Sequence, residues 1–197
     1  MIDISLPYKN GMITYPGDTP YEEYEYKTHE RDGVHIMRVL METHSGTHFD
    51  APYHMLKDGK RADEIPLENF MGKASVITVN NNSIGPDDIP EQLESIVLFH
   101  TKNSDIYTSE FNKDFVYLTI DGAKELVKRN IKLVGIDYLS IERFNSKDFE
   151  VHRLLMKNSI IILEGLYLAN VPDGVYDFIC LPLKMQFDGA PCRAVLL

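Results

Sequence analysis

Three of the seven histidines in this 197-residue chain fall within eleven residues, in His44-Ser-Gly-Thr-His48-Phe-Asp50-Ala-Pro-Tyr-His54. Two imidazoles and a carboxylate that converge are a donor set for a first-row transition metal, which makes His44, His48 and Asp50 candidate ligands. No thiolate accompanies them, so zinc or manganese suits the set better than an iron–sulfur centre, and an all-oxygen ion such as calcium suits it poorly. A lone histidine usually only packs or takes a hydrogen bond; this cluster, with an aspartate two residues beyond His48, marks a site. Two further residues attract notice. Glu164 ends the apolar run Ile160–Leu163, where a carboxylate must be paired, liganded or at a mouth. His152 lies off the apolar stripe of Val151, Leu154 and Leu155. Taken alone, Glu164 reads more readily as an edge residue at a turn, and His152 as an exposed helix residue.

The backbone has to bring these groups together. Gly46, Thr47, Asp50 and Pro52 disfavour helix between the histidines. An extended or looped segment serves instead, because positions 44, 48, 50 and 54 share parity and tend to point one way. Gly46 permits a close turn, and Pro52 stiffens the exit toward His54. Upstream, Tyr24, Tyr26 and Thr28 alternate with Glu23, Glu25 and Lys27 as in a half-buried strand, after turn chemistry at Pro16-Gly17-Asp18. A second strand is expected from Val34 to Glu42. Downstream, Ala74–Val79 and Ile96–His100 read as buried strands flanking a Pro/Asp/Glu-rich stretch with room for a short helix. A helix with Thr119 as N-cap follows, then strand Leu133–Ile136. A second helix is expected over Lys147–Lys157 after Ser146, then strand Ser159–Leu163 and a final strand Cys192–Leu197. Strands predominate over about two helices, so the class is mixed, strand-rich α/β or α+β in one domain, residues 1–197.

Composition narrows the function further. The net charge is −10, from 30 acidic against 20 basic residues, with no Lys/Arg cluster, which argues against nucleic-acid binding. No apolar run exceeds four residues, far short of the roughly 20 a membrane-spanning helix needs. The start, MIDISLPYKN, has no basic region followed by an apolar segment, so no secretory signal is expected. Cys180 and Cys192 read as reduced thiols of a cytoplasmic protein rather than a disulfide or a zinc knuckle. The apolar end, Ala-Val-Leu-Leu, implies a last strand packed inside the domain or against a partner subunit.

The segment from His44 to His54 resembles the HxGTHxDxPxH signature of the cyclase-like metal hydrolases, which include bacterial kynurenine formamidases and isatin hydrolases. The resemblance extends through Asp3-Ile-Ser-Leu, Tyr15-Pro-Gly-Asp-Thr-Pro20, Gly135-Ile-Asp137, Ser146-Lys-Asp148, His152, Ile162-Leu-Glu164-Gly165-Leu166, Leu181-Pro-Leu183 and Gly189-Ala-Pro-Cys-Arg193-Ala. It implies a swivelling β/β/α fold and a homodimer or larger assembly. It also implies two divalent ions: His44, His48 and Asp50 hold one, His152 belongs to the second, and Asp50 and Glu164 bridge them. His54 is then the general acid–base, and its ordinary pKa near 6.5 suits that work. The expected reaction is hydrolysis of a formamide or a cyclic amide, the metals supplying water of lowered pKa and a polarised carbonyl. Formamidase-type members often carry Trp before Pro-Gly-Asp to stack on an aromatic substrate. This chain has no Trp, and Tyr15 takes that place, as a substrate contact or a turn-flanking core aromatic. The rival readings are a non-catalytic metal-stabilised binding protein, a lactam (isatin-type) hydrolase or cyclase of the same family, and a single-metal, oxygen-dependent enzyme with two histidines and a carboxylate as its triad.

Overall fold

β-branched and aromatic runs bounded by turns set most of the backbone. In chain order the strands are β1 (Ile2–Asp3), β2 (Glu22–Lys27), β3 (Ile36–Leu40), β4 (His48–Asp50), β5 (Met71–Val79), β6 (Ser83–Ile84), β7 (Ile96–Thr101), β8 (Tyr117–Leu118), β9 (Leu133–Ile136), β10 (Ile161–Glu164), β11 (Gly174–Pro182) and β12 (Gly189–Leu196). The helices are α1 (His29–Asp32), α2 (Ile120–Lys128) and α3 (Glu150–Lys157). The computed structural model describes residues 1–107 and 110–197.

Seven strands pair in a closed ring, β12-β11-β5-β7-β9-β10-β4 and back to β12. β1 continues the line of β4 along one side of β12: β4 pairs with Gly189–Pro191 and β1 with Val195 and Leu196. Neighbours from β5 through β7 and β9 to β10 are parallel, and the other junctions are antiparallel. Parallel neighbours need a crossover. α2 lies between β7 and β9 in the chain, and α3 between β9 and β10.

The period of two splits the apolar residues into two layers. Phe49, Val76, Leu98, Leu163, Phe178 and Leu196 form one cluster inside the ring. Val97, Phe99, Ile136 and Ile162, one step along the same strands, pack outside it against Leu126 of α2 and Leu155 of α3. At about 1.5–3 kcal/mol for each large apolar side chain fully buried, these layers hold the ring shut. β4, β9 and β10 thus present one face to the barrel and the other outward, and the outward face of β4 carries His48.

The strand-rich α/β class is as expected, and the differences are local. β2 and β3 form where expected, but as a hairpin apart from the ring, and the half-buried reading of β2 fails: Tyr24 and Tyr26 are exposed, like every residue of β3. Alternation fixes which residues share a face, not which face is covered. Between β5 and β7 there is no α-helix, only a short 3-10 turn at Pro86–Asp88. α3 begins at Glu150 rather than Lys147, and the cap is not Ser146. Glu142 takes that role from outside the helix, accepting from the N–H groups of Val151 and His152 at 3.3 Å, while the Ser146 hydroxyl donates to Glu142 at 2.7 Å. Thr119 caps α2 as expected, accepting from Gly122 N. Cys180 and Cys192 are free and buried, and the last strand packs as a full member of the barrel.

Candidate metal centre

The pleat of β4 turns Phe49 into the barrel and His48 and Asp50 to the outer face. β10 pairs with it so that Glu164 lies opposite His48 and Ile162 opposite Asp50. Three of the expected site residues therefore share one face of two adjacent strands. α3 covers that face and carries His152 over it. His44 precedes β4 on a turn in which Gly46 has φ 59°, the left-handed region that suits glycine. His54 ends a short 3-10 turn after β4. Ring centroids of His44 and His54 are 4.1 Å apart, and those of His54 and His152 6.4 Å. The structure thus brings together His44, His48, Asp50, His54, His152 and Glu164. The exposed-helix reading of His152 falls, because it is buried.

The hydrogen bonds sort the six imidazole nitrogens of the three proposed ligand histidines. His48 Nδ1 lies 3.0 Å from Gly46 O, and donation to that carbonyl leaves Nε2 without a proton. His48 Nε2 is buried without a hydrogen-bond partner among the described residues, 3.4 Å from both Asp50 Oδ1 and Glu164 Oε2. His152 Nδ1 is 2.6 Å from Glu142 Oε2, and its Nε2 is 3.3 Å from Glu164 Oε1 and 3.6 Å from Asp50 Oδ2. His44 Nε2 is 3.1 Å from Asp188 Oδ2, and its Nδ1 is 2.8 Å from Asp50 Oδ1. Each ring has one nitrogen anchored to a protein acceptor and the other turned toward Asp50, and in His48 and His152 toward Glu164 as well. Metal-ligating histidines are held this way, with the outer acceptor fixing tautomer and ring angle.

Besides the half-buried group of His44, His54 and Asp188, two triads satisfy the spacing a metal ion needs: His44, His48 and Asp50, and Asp50, His152 and Glu164. An orphaned buried nitrogen, two buried carboxylates and three oriented imidazoles fit a transition metal in each.

Charge agrees with geometry. Burial lowers the His44 pKa, but Asp50 and Asp188 outweigh it and raise it to about 10. Burial likewise opposes protonation of His48 and His152, yet their carboxylate neighbours raise them to about 9 and about 10. Burial pushes Asp50 up, and His44 and His48 bring it well below the usual carboxylate range. Glu164 is raised by burial and by Asp50, and lowered on balance by His152 and His48. The cluster thus asks for positive charge, which protons or metal ions supply. His54 differs. Burial lowers its pKa, Asp50 pulls the other way, and His44 and His152 add to the fall. It is a neutral imidazole at pH 7, able to take a proton.

Two residues that sequence reasoning did not single out belong here. Glu142 anchors His152. Asp188, 3.1 Å from His44 Nε2 and 3.4 Å from His54 Nδ1, joins both to the turn before β12. The only signal for either was sequence proximity, since Asp188 precedes the Gly189-Ala-Pro segment and Glu142 follows Gly135-Ile-Asp137. Gly189 itself makes room for His44: a Cβ there would lie 2.9 Å from His44 Cε1 and 2.8 Å from Phe49 O. Asp137 has no part in the site; it accepts from the backbone and hydroxyl groups of Thr101 and Ser104. The cluster opens into a pocket of about 650 Å³ with apolar walls that include Tyr15, Met41, Met55, Leu139, Phe149 and Phe187. Tyr15 lines this pocket and also packs edge-on against Phe111, ring centroids 5.0 Å apart.

Known proteins resemble this chain along nearly its whole length. Residues 2–143 match the model of a family described as putative cyclase. A kynurenine formamidase from Bacillus cereus is 36% identical over 202 residues, covering 99% of this chain and 96% of the relative. A protein from Bacillus stearothermophilus, described as a predicted metal-dependent hydrolase, has 34% identity and a TM-score of 0.85 over 99% of this chain and 96% of its own. Isatin hydrolase A from Labrenzia aggregata, at 23% identity and a TM-score of 0.80 over 99% of this chain and 92% of its own, shares the fold. The chain therefore belongs to the putative cyclase family, a metal-dependent hydrolase akin along nearly its whole length to a bacterial kynurenine formamidase.

Proposed function

We propose that the chain hydrolyses the C–N bond of a formamide carried on an arylamine. The observation that carries this is the division of labour among the histidines. Three are anchored with one nitrogen turned to Asp50, two of them to Glu164 as well, while the neutral His54 faces the pocket. His44, His48 and Asp50 would hold one divalent ion, and Asp50, His152 and Glu164 a second, zinc by preference and manganese as the alternative. When bound, such ions lower the pKa of water and polarise a carbonyl. The chain's own residues do the rest. Asp50 and Glu164 fix the ligand geometry from adjacent strands, and α3 excludes solvent from behind. His54 takes the proton from the water that adds to the formyl carbon. It returns that proton to the nitrogen as the C–N bond breaks, giving formate and the free amine. The apolar walls, Tyr15 among them, suit an aromatic leaving group. The formamidase relative favours a formamide over a lactam.

The same reading makes the protein cytoplasmic and a homodimer or larger, and the exposed Tyr24, Tyr26, Ile36, Met37, Val39 and Leu40 of the β2–β3 hairpin support the second point. Sizing in solution tests it. The function is tested with His54→Ala and elemental analysis together. The expected result is near two metal equivalents in both proteins, with formamide hydrolysis lost by at least about a hundredfold in the variant. Activity within twofold of wild type removes His54 from the mechanism, and no metal after reconstitution refutes the hydrolase.

A further inference from the structure

We propose that the groove beside the catalytic pocket, lined by Lys57 and Arg61, is a subsite for a carboxylate carried by the substrate. The inference rests on the amide-hydrolase reading and narrows it to N-formyl amines bearing an acid group away from the scissile bond.

The charges near the reaction centre are segregated. The catalytic pocket has no Lys or Arg in its lining; besides Asp50 and Glu164 it holds Asp18, Glu42 and Asp188. Its side chains offer an anionic substituent no cationic partner. A groove of about 500 Å³ adjoins it and shares His54, Met55, Phe187 and Asp188 with it. Beyond that shared wall the groove is formed by Tyr53, Lys57, Arg61 and Gln186, so its far end carries two cations. A substrate whose formyl group lies at His54 and whose apolar part rests on Met55 and Phe187 reaches them by extending past the same side chains.

Arg61 is already placed for the task. Its guanidinium carbon lies 4.7 Å above the Tyr53 ring, and Nη1 donates to Gln186 O at 3.3 Å. Neither Arg61 nor Lys57 makes an ion pair with a carboxylate among the described residues. A guanidinium lying over a ring, with donors to spare, matches a carboxylate fork. The loop is also fixed to the wall of the active site. Tyr53 N donates to Lys60 O at 3.0 Å, Ala62 N to Phe187 O at 2.9 Å and Asp63 N to Met185 O at 3.0 Å. The backbone that carries the cations is thus tied to the segment that carries Phe187.

The test compares N-formylkynurenine with its methyl ester, which differ in the one charge. In wild type the acid is favoured in kcat/KM. Arg61→Ala lowers the acid-to-ester ratio about fivefold, as loss of one partly exposed charge pair implies. The Lys57→Glu/Arg61→Glu double variant lowers it by about thirtyfold or more, and the ester reports in the same sample whether each variant is folded. A ratio unchanged within 1.5-fold in both variants overturns the subsite. So does the case where the variants lose only inhibition by formate, since the groove then reads the product. Calorimetric titration with kynurenine and kynurenine methyl ester gives the same readout without turnover, so it decides the point even if the wild type hydrolyses neither formyl compound. Equal affinity for acid and ester in wild type overturns the subsite, and a preference for the acid lost in Arg61→Ala supports it.

Discussion

Glu142 touches no substrate and ligates nothing, yet its replacement should weaken metal binding at one of the two positions. Its Oε2 lies 2.6 Å from His152 Nδ1 and accepts from His152 N at 3.3 Å; its Oε1 accepts from Val151 N at 3.3 Å and from the Ser146 hydroxyl at 2.7 Å. Glutamine has one acceptor oxygen where glutamate has two, and its amide group meets donors with a donor. One or two of the four bonds are therefore lost in Glu142→Gln, since the Ser146 hydroxyl can turn to accept from the amide while a backbone N–H cannot. The negative charge that sets the His152 tautomer goes with them, so Nε2 is no longer reliably the unprotonated nitrogen. Outer acceptors of this kind are worth about 10–100-fold in metal affinity. Each buried donor left unpaired costs about 1–3 kcal/mol of stability. Competition with a chromophoric chelator should show one of two ions bound about 10–100-fold more weakly while the other is unchanged. The melting temperature of the stripped variant should fall by about 5–10 °C. If both ions bind within twofold of wild type in Glu142→Gln, while His152→Ala loses one, the anchoring role assigned to Glu142 is wrong.

Other expectations follow from neighbouring contacts. Thr47 is fully buried, donates to Gly165 O at 2.5 Å and accepts from Leu6 N at 2.8 Å, so Thr47→Val strands both partners. A loss of about 2–4 kcal/mol is expected in urea melts, and a change under about 0.5 kcal/mol would show the hydroxyl to be dispensable. Gly189→Ala puts a methyl 2.9 Å from His44 Cε1, and should displace that ring and cost the ion held by His44, His48 and Asp50. Two full equivalents in elemental analysis of this variant would contradict it. The raised pKa values of His44, His48 and His152, about 10, 9 and 10, make a pH prediction for the chelator-stripped protein. A histidine whose folded pKa lies above its unfolded value near 6.5 contributes stability that is complete below pH 6.5 and lost as pH rises through the folded pKa. Stripped protein should lose melting temperature between pH 7 and 10, while metal-loaded protein, whose imidazoles carry no titrating proton, should not. Parallel profiles for the two forms would mean that the rings are not the charge the carboxylates require.

Much of the centre was legible because it is local. His48 and Asp50 share a face through the period of a strand, and a carboxylate closing the run Ile160–Leu163 has to be accounted for wherever that run is buried. The register that sets Glu164 opposite His48 was not legible, since pairing of β4 with β10 depends on the whole ring closing. Asp188 was missed for the same reason. It reaches His44 across 144 positions because Gly189 pairs with Asp50, and its own neighbourhood carries no periodic signal. Glu142 and the start of α3 form one problem. Ser146 has the right residue type for a cap, but a hydroxyl that donates to Glu142 does not cap the helix. The hairpin marks another limit. Its alternation is that of a strand with one covered face, and nothing within the described residues covers Tyr24, Tyr26 or β3.

Burying five ionisable groups at the join of two strands and a helix costs more desolvation than ordinary ion pairs return. A structural salt-bridge network would answer by giving each carboxylate one well-placed partner. Asp50 does the opposite. Its Oδ1 faces His44 at 2.8 Å and His48 at 3.4 Å, and its Oδ2 faces His152 at 3.6 Å, so its two oxygens look toward different imidazoles on different elements. Glu164 repeats the pattern, with Oε2 toward His48 and Oε1 toward His152, each at 3.3–3.4 Å. Apart from His44 Nδ1–Asp50 Oδ1 at 2.8 Å, distances at the edge of hydrogen-bond range, two-sided carboxylates and rings anchored from behind are poor design for proton-mediated pairing. They suit cations shared between the two sides. Between them, Asp50 and Glu164 thus couple the chemistry to barrel closure, because each reaches the shared face only when β4, β10 and β12 are in register.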